Sequence, residues 1–332
     1  MGRREFLLGI GGATISVSLA GCSSDDTTGT EPPDDETGPR GPEEAVEHYD
    51  DAVELLERNA NEFRELRQQT VSGEENVDFD ATAVALRTSE ARTHLDRAEA
   101  EDDGSLSHEI EKLQRIASYQ DTLTEYNEDY LSLSRLINTG LDEYVAGQHR
   151  PAIELLENAQ RQIGSTISSL ELVEAELDEV RNAAEQAELS DELMQNITTI
   201  DEDNAEAHTE LTILEDLVPA RIAEIKGDLS FDRGFDRFEE ESYTDARSHF
   251  SDAESHFVTG KTRLESITVE EVTAYIERLI ADTESLICEY EFSIDAADNF
   301  QQSANAMQNG DLQQAEQHWE HGQTNLSRMR TC

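Results

Sequence analysis

The 332-residue chain predicts an all-α fold of long antiparallel helical hairpins, an irregular coiled-coil-like array. Three observations predict it. From residue 43 onward apolar residues recur at steps of three and four, the period of a helix with one buried face. No segment alternates apolar and polar residues at the period of two that a half-buried strand requires. Breakers are few, at 71–79, 101–105, 147, 188–201, 239–242 and 309–310, so the helices between them are long.

The first element, residues 1–22 (MGRREFLLGIGGATISVSLAGC), is a targeting segment that stands apart from the fold. Its apolar run is short and rich in Gly and Ser, whereas a membrane-spanning helix needs about 20 predominantly apolar residues. Arg3 and Arg4 followed by Phe6 and Leu7 resemble a twin-arginine export signal. Leu19-Ala20-Gly21-Cys22 resembles a lipobox, whose cysteine is lipidated and becomes the mature N-terminus. The two resemblances together imply a cell-membrane lipoprotein facing outside the cytoplasm, held only by lipid on Cys22. An uncleaved signal anchor is the alternative, and it leaves the body on the same side. Residues 23–42 hold four of the six prolines and almost nothing apolar, so this segment reads as a disordered acidic tether.

The body divides into expected helical halves at 43–188 and 202–332, joined by a connector at 189–201. Its clearest seam is Ala152, Leu156, Ala159, Ile163, Leu170, Val173, Leu177, Val180, Ala184 and Ala187, with Thr166 filling the one gap. These steps of four and three span about five heptads. Pro219 lies inside a helical pattern and is expected to kink or split it.

A short pattern recurs: a small residue, a bulky apolar one four later, a small one three after that. It appears at Ala45/Tyr49/Ala52, Ala91/Leu95/Ala98, Ala152/Leu156/Ala159, Ala246/Phe250/Ala253 and Ala315/Trp319/Gly322. Small residues let helices approach while the bulky one fills the gap, so the pattern describes a tight helix–helix contact. Turns precede three copies, at Gly147, Glu241 and Gly310. Turn and helix together resemble the second helix of a tetratricopeptide repeat. That family has a repeat of about 34 residues; here the copies start 46, 61, 94 and 69 residues apart, and the first helix's Trp-Leu-Gly signature is missing. Hairpins longer than the family's follow from that spacing.

Cys288 and Cys332 each lie 22 residues from Gly310. If Gly310 is the turn of an antiparallel hairpin, the two thiols meet at one height, which in an exported chain reads as a disulfide. The expected seam sets Leu312, Ala315, Trp319, Gly322, Leu326 and Met329 against Ile280, Ile287, Ile294, Ala297, Phe300 and Ala304. Two unpaired cysteines are the alternative.

Among candidates for chemistry, His48, His94, His249 and His318 share one register, just before the bulky residue of the pattern. Neighbouring pairs add His256 to Asp252 and His321 to His318. Zinc and copper need three or four converging N, O or S ligands, so His249, His256, His318 and His321 stand as metal candidates. The competing expectation is packing, with each ring at the edge of a helix contact and bonded to a carboxylate. Gly260-Lys261-Thr262 lacks the upstream glycine of a phosphate-binding loop and is expected to be a helix stop. No zincin motif, nucleophile elbow or dinucleotide fingerprint is present, so no catalytic residue and no cofactor is expected. Asn196 and Asn325 begin glycosylation sequons, with Asn196 expected in the connector.

Seventy-five acidic against 25 basic residues give a net charge of −50, and only Lys112, Lys226 and Lys261 are lysines. Nucleic acid and anionic membrane surfaces are poor partners for such a field. The composition resembles that of extreme halophiles, and the expected role is a cell-surface scaffold or adaptor for protein partners, without catalysis. Binding of a metal or small ligand through the recurring histidines is the alternative. Lowering salt from several molar to about 0.1 M lengthens the Debye screening distance from about 3 Å to about 10 Å. Self-repulsion of the acidic surface should then loosen the fold. The expected outcome is a loss of helical circular dichroism across that range; an unchanged signal would overturn the halophile reading.

Overall fold

The structure, a computed structural model, describes residues 43–72, 77, 79–186, 191–269 and 274–332. The expected export signal with Arg3 and Arg4, the expected lipidation site Cys22 and the expected 23–42 tether lie outside the described residues. Eight helices make up the described chain, and no strand is found among the described residues. They are α1 (Glu43–Ser72), α2 (Ala81–Glu101), α3 (Ser107–Val145), α4 (His149–Gln186), α5 (Asp191–Glu239), α6 (Tyr243–Ser266), α7 (Ala274–Asn309) and α8 (Leu312–Met329). No helix among the described residues is long and apolar enough to cross a membrane.

Three of the turns share one geometry. Gly147, Glu241 and Gly310 adopt φ of 79°, 60° and 76°, the left-handed region. In each, the amide of this residue donates to the carbonyl three back, and the next amide donates to the carbonyl five back: Gln148 to Glu143, Ser242 to Arg237, Asp311 to Ala306. This is the Schellman closure of a helix C-terminus, which glycine enters without the steric cost of a side chain. The segments around these turns match as well. Gly140, Gly234 and Ser303 lie seven residues before the left-handed residue, and Leu156, Phe250 and Trp319 nine after it. The three hairpins α3/α4, α5/α6 and α7/α8 therefore repeat one device.

The chain forms two compact units, each taking residues from α3, α4 and α5. The division differs from the halves expected at 43–188 and 202–332. The expected connector is also replaced: from Asp191 onward it is the start of α5. Ile200 is buried there, and extending an anchored helix is far easier than nucleating a new one.

One unit comprises α1 and α2 with residues up to Leu131 and Ser165–His208. Ala45, Ala52, Leu56, Ala91, Leu95, Ala98, Ile110 and Leu113 are buried together at its core, with Tyr49 and Val53 packed against them. Three polar side chains are fully buried among them: Asn59, Thr88 and Gln120. The Asn59 amide donates to Thr88 Oγ1 at 2.9 Å and to Gln120 Oε1 at 3.0 Å, while Gln120 donates to the Leu56 carbonyl at 3.0 Å. Asn59 Oδ1 accepts from Arg87 at 2.6 Å. A satisfied buried network of this kind fixes one register for α1, α2 and α3, because sliding any helix strands a polar group.

The other unit comprises Ser132–Gly164 and Thr209–Cys332. Its helices meet where one of them lacks a side chain. A Cβ on Gly227 would stand 2.6 Å from the Phe257 ring, on Gly234 2.5 Å from Phe250, on Gly260 2.7 Å from Tyr290, and on Gly322 2.7 Å from Phe300. Gly227 and Gly234 are seven apart and meet Phe257 and Phe250, seven apart in reverse order, as an antiparallel pair requires. Gly260 is thus a buried contact within α6 and not the expected stop. The helix ends six residues later, at a β-branched run (Ile267-Thr268-Val269) that favours extended backbone. Pro219 does not split α5. Leu214, Leu217, Val218, Ala220 and Ile222 are buried around it, and that burial outweighs the roughly 3 kcal/mol that an interior proline costs.

Packing accounts for the recurring pattern. Both small residues of every copy are buried, and Leu95, Leu156 and Phe250 are fully buried while Tyr49 and Trp319 are half-buried. The α4 seam is buried from Ala152 to Leu177, with Thr166 filling its gap. The α7/α8 hairpin is antiparallel: Ser303 Oγ donates to the Ala315 carbonyl at 2.8 Å, and Ser293 contacts Met329 at 3.1 Å. Cys288 and Cys332 lie at disulfide distance, their Cα atoms 5.8 Å apart. The expected seam needs correction at Leu312, which is 66% exposed, and at Ile280, Ile287 and Ile294, which are only half-buried. Because α7 packs on both α6 and α8, its deepest positions include Leu279, Leu286 and Tyr290 instead.

Glycine substitutions test this packing directly. Gly234→Ala pushes a methyl group into the Phe250 ring and should destabilise by about 1–3 kcal/mol. Gly164→Ala, on α4, meets nothing within 4 Å and should stabilise by about 0.5–1 kcal/mol through helix propensity. Denaturation midpoints moving in opposite directions are the expected result.

Candidate metal centre

The repeated pattern brings two of its histidines together. Ala45 and Ala52 on α1 and Ala91 and Ala98 on α2 are all fully buried, which holds these helices close. The preceding position of each bulky residue, His48 and His94, falls at the rim of that contact, and both rings are half-buried. Their Nδ1 atoms are 3.3 Å apart and their ring centroids 5.4 Å apart. Asp51, one turn beyond His48 and exposed, places Oδ2 3.3 Å from His94 Nδ1. One ligand atom from each of His48, Asp51 and His94 lies within 4.8 Å of the others. On the far side of the first ring, His48 Nε2 is 3.9 Å from Glu101 Oε2, at the end of α2.

Among the described residues this is the one group of three His, Cys, Asp or Glu side chains arranged to hold an ion. The four histidines expected as metal candidates join no such group. His249 is half-buried with Asp252 at 3.9 Å on its own helix. His256 has its pKa pushed down by burial and then by Lys226, a cation that also repels any metal. Lys226 itself pairs with Glu157 at 3.0 Å. The half-buried His318 keeps Nδ1 buried with no hydrogen-bond partner, and His321 is exposed. Of the sequons, Asn325 is half-buried within α8. Asn196 falls within α5 instead of a connector, and its side chain lies outside the described residues.

His48 and His94 share one register of the recurring pattern. The register was legible; which copies face one another was not.

Among the described residues, no other group of three His, Cys, Asp or Glu side chains converges. A cleft of about 470 Å³ in the same unit as the histidine pair is lined by Glu99, Glu111, Gln114 and Arg115 among others. Gln114 donates to Glu99 at 3.3 Å and Arg115 faces Glu179 at 3.6 Å, so both are engaged within the unit. In the other unit, Arg221 pairs with Glu224 at 2.8 Å, and the Tyr144 hydroxyl bridges Glu224 and Asp228. These bonds hold α3 to α5 within that unit. No family model, no curated protein and no solved structure matches this chain.

Asp203 carries a pH dependence. Burial pushes the Asp203 pKa up to about 6, Glu206 and Glu202 add to it, and the ion pair with Arg67 offsets only part. The folded state thus binds a proton that the unfolded chain releases near 3.8. Stability from this group is present below about pH 4 and lost as pH rises to about 6. Denaturation in molar salt at pH 4.5 and pH 7 should show that loss in the native chain, and Asp203→Asn should flatten it.

Proposed function

We propose that the chain is an exported, lipid-anchored protein of an extreme halophile that serves as a scaffold for other proteins at the cell surface, without catalysis. Protein is the partner class; neither nucleic acid nor the bilayer itself suits so acidic a surface. The observation that carries the reading is a row of half-buried aromatic rings left where the α5/α6 hairpin turns. Phe238 meets Trp319 at a tilt with centroids 4.5 Å apart and meets Tyr243 edge-on at 5.3 Å, and all three remain partly open to solvent. Aromatic side chains are enriched at protein interfaces, where they supply large area at small entropic cost. Resemblance to tetratricopeptide repeats supports the same reading, since helical hairpins of that kind present side chains on rigid elements.

Two measurements test it. Cys22→Ser should move the protein from the membrane to the soluble fraction or stall its processing; a variant still membrane-bound and processed as before would overturn lipid anchoring. Affinity capture from membranes in high salt should recover a partner with the native chain and lose it with Phe238→Ser combined with Tyr243→Ser. Recovery of the same proteins by this variant, folded by circular dichroism, would overturn the aromatic edge as the contact.

A further inference from the structure

Independently of the scaffold reading, we propose that His48, Asp51 and His94 bind one divalent transition metal of the zinc class, with the fourth position open to water. Zinc–nitrogen and zinc–oxygen bonds run at about 2.0–2.2 Å, so neighbouring ligand atoms around a tetrahedral ion stand about 3.3–3.5 Å apart. The two adjacent separations here, His48 Nδ1 to His94 Nδ1 and His94 Nδ1 to Asp51 Oδ2, are both 3.3 Å. The remaining separation lies within 4.8 Å.

Proton bookkeeping favours the ion over a hydrogen-bonded cluster. Asp51 is an acceptor when ionised, and each neutral imidazole has one ring nitrogen that donates and one that accepts. If His94 Nδ1 carries its proton toward Asp51, it cannot accept from His48 Nδ1. If it is bare, its lone pair faces the carboxylate oxygen at 3.3 Å. If both Nδ1 atoms are protonated, two N–H groups oppose each other at 3.3 Å. The first arrangement stretches one N–H between two acceptors, and the others set like groups against each other. A cation accepts all three lone pairs at once.

The surroundings supply the rest of a metal site. Glu101 lies on the Nε2 side of His48, the place where a carboxylate orients a metal-bound imidazole and fixes its tautomer. Two imidazoles and one carboxylate suit zinc, cobalt, nickel or copper, whereas calcium and magnesium take oxygen ligands. Two ligands come from α1 and one from α2, so the ion would also clasp the hairpin that follows the lipid tether.

The test uses the full chain, freed of metal and held in molar sodium chloride at neutral pH. Cobalt(II) is titrated and followed by visible absorption, since a tetrahedral cobalt centre absorbs far more strongly than the hexa-aqua ion. The expected result is a tetrahedral spectrum saturating at one equivalent and bleached by zinc. His48→Gln and His94→Gln, checked for native circular dichroism, should weaken binding by about 100-fold or more, and Asp51→Asn by about 10-fold or more. His249→Gln should leave it unchanged. Asp51 is exposed, so its variant keeps the test decisive if a histidine variant misfolds. A weak spectrum of octahedral type, unaffected by Asp51→Asn or the histidine changes, would mean adventitious binding by surface carboxylates and would overturn the site.

Discussion

Helix approach at positions without a side chain is the constraint on which this structure rests. Where Gly227, Gly234, Gly260 and Gly322 sit, the facing rings occupy the space that a Cβ would fill. Each interior glycine costs a helix about 0.5–1 kcal/mol. Each buried ring returns about 1.5–3 kcal/mol of transfer free energy, and the edge-to-face contacts among Phe235, Phe250, Phe300 and Trp319 add to it. The balance favours the close contact, and it also fixes rotation: turning a helix by one residue replaces the glycine with a side chain that does not fit.

The α1/α2 hairpin uses the same approach with alanine in place of glycine and polar groups in place of rings. Ala45, Ala52, Ala91 and Ala98 bring the backbones together, and the Asn59–Thr88–Gln120 network sets the register one step deeper. With the register set, His48 and His94 have little freedom to avoid each other. A motif that elsewhere serves packing alone becomes, in this one pairing, an arrangement of ligands. Copies of the pattern carry histidine at the same position in α6 and α8, yet among the described residues His249 and His318 join no group of three ligands.

Much of the fold was legible along the chain. The breaks at 71–79, 101–105, 147, 239–242 and 309–310 match the ends of helices, because Gly and polar clusters act locally on the backbone. The pairing of Cys288 with Cys332 followed from equal distances to a single turn. Reading failed where a residue's meaning depends on what faces it. Gly260 looks the same as a stop or as a seat for Tyr290, and Pro219 looks like a break until the burial around it is known. The 188–201 stretch is polar enough to read as a connector, yet from Asp191 it is carried as helix by its buried continuation.

Sequence by itself determined the class of protein: all-α, strongly acidic, built from long hairpins with one repeated contact. Those properties follow from periodicity, composition and turn chemistry, each of which is local. Only the tertiary structure decided which copies of the contact meet, and hence that His48, Asp51 and His94 converge while His249, His256, His318 and His321 do not. The physical reason is that a helix presents the same face pattern to any partner. Which partner lies opposite is settled by a sum of buried contacts spread over many residues, and no short stretch of the chain contains that sum.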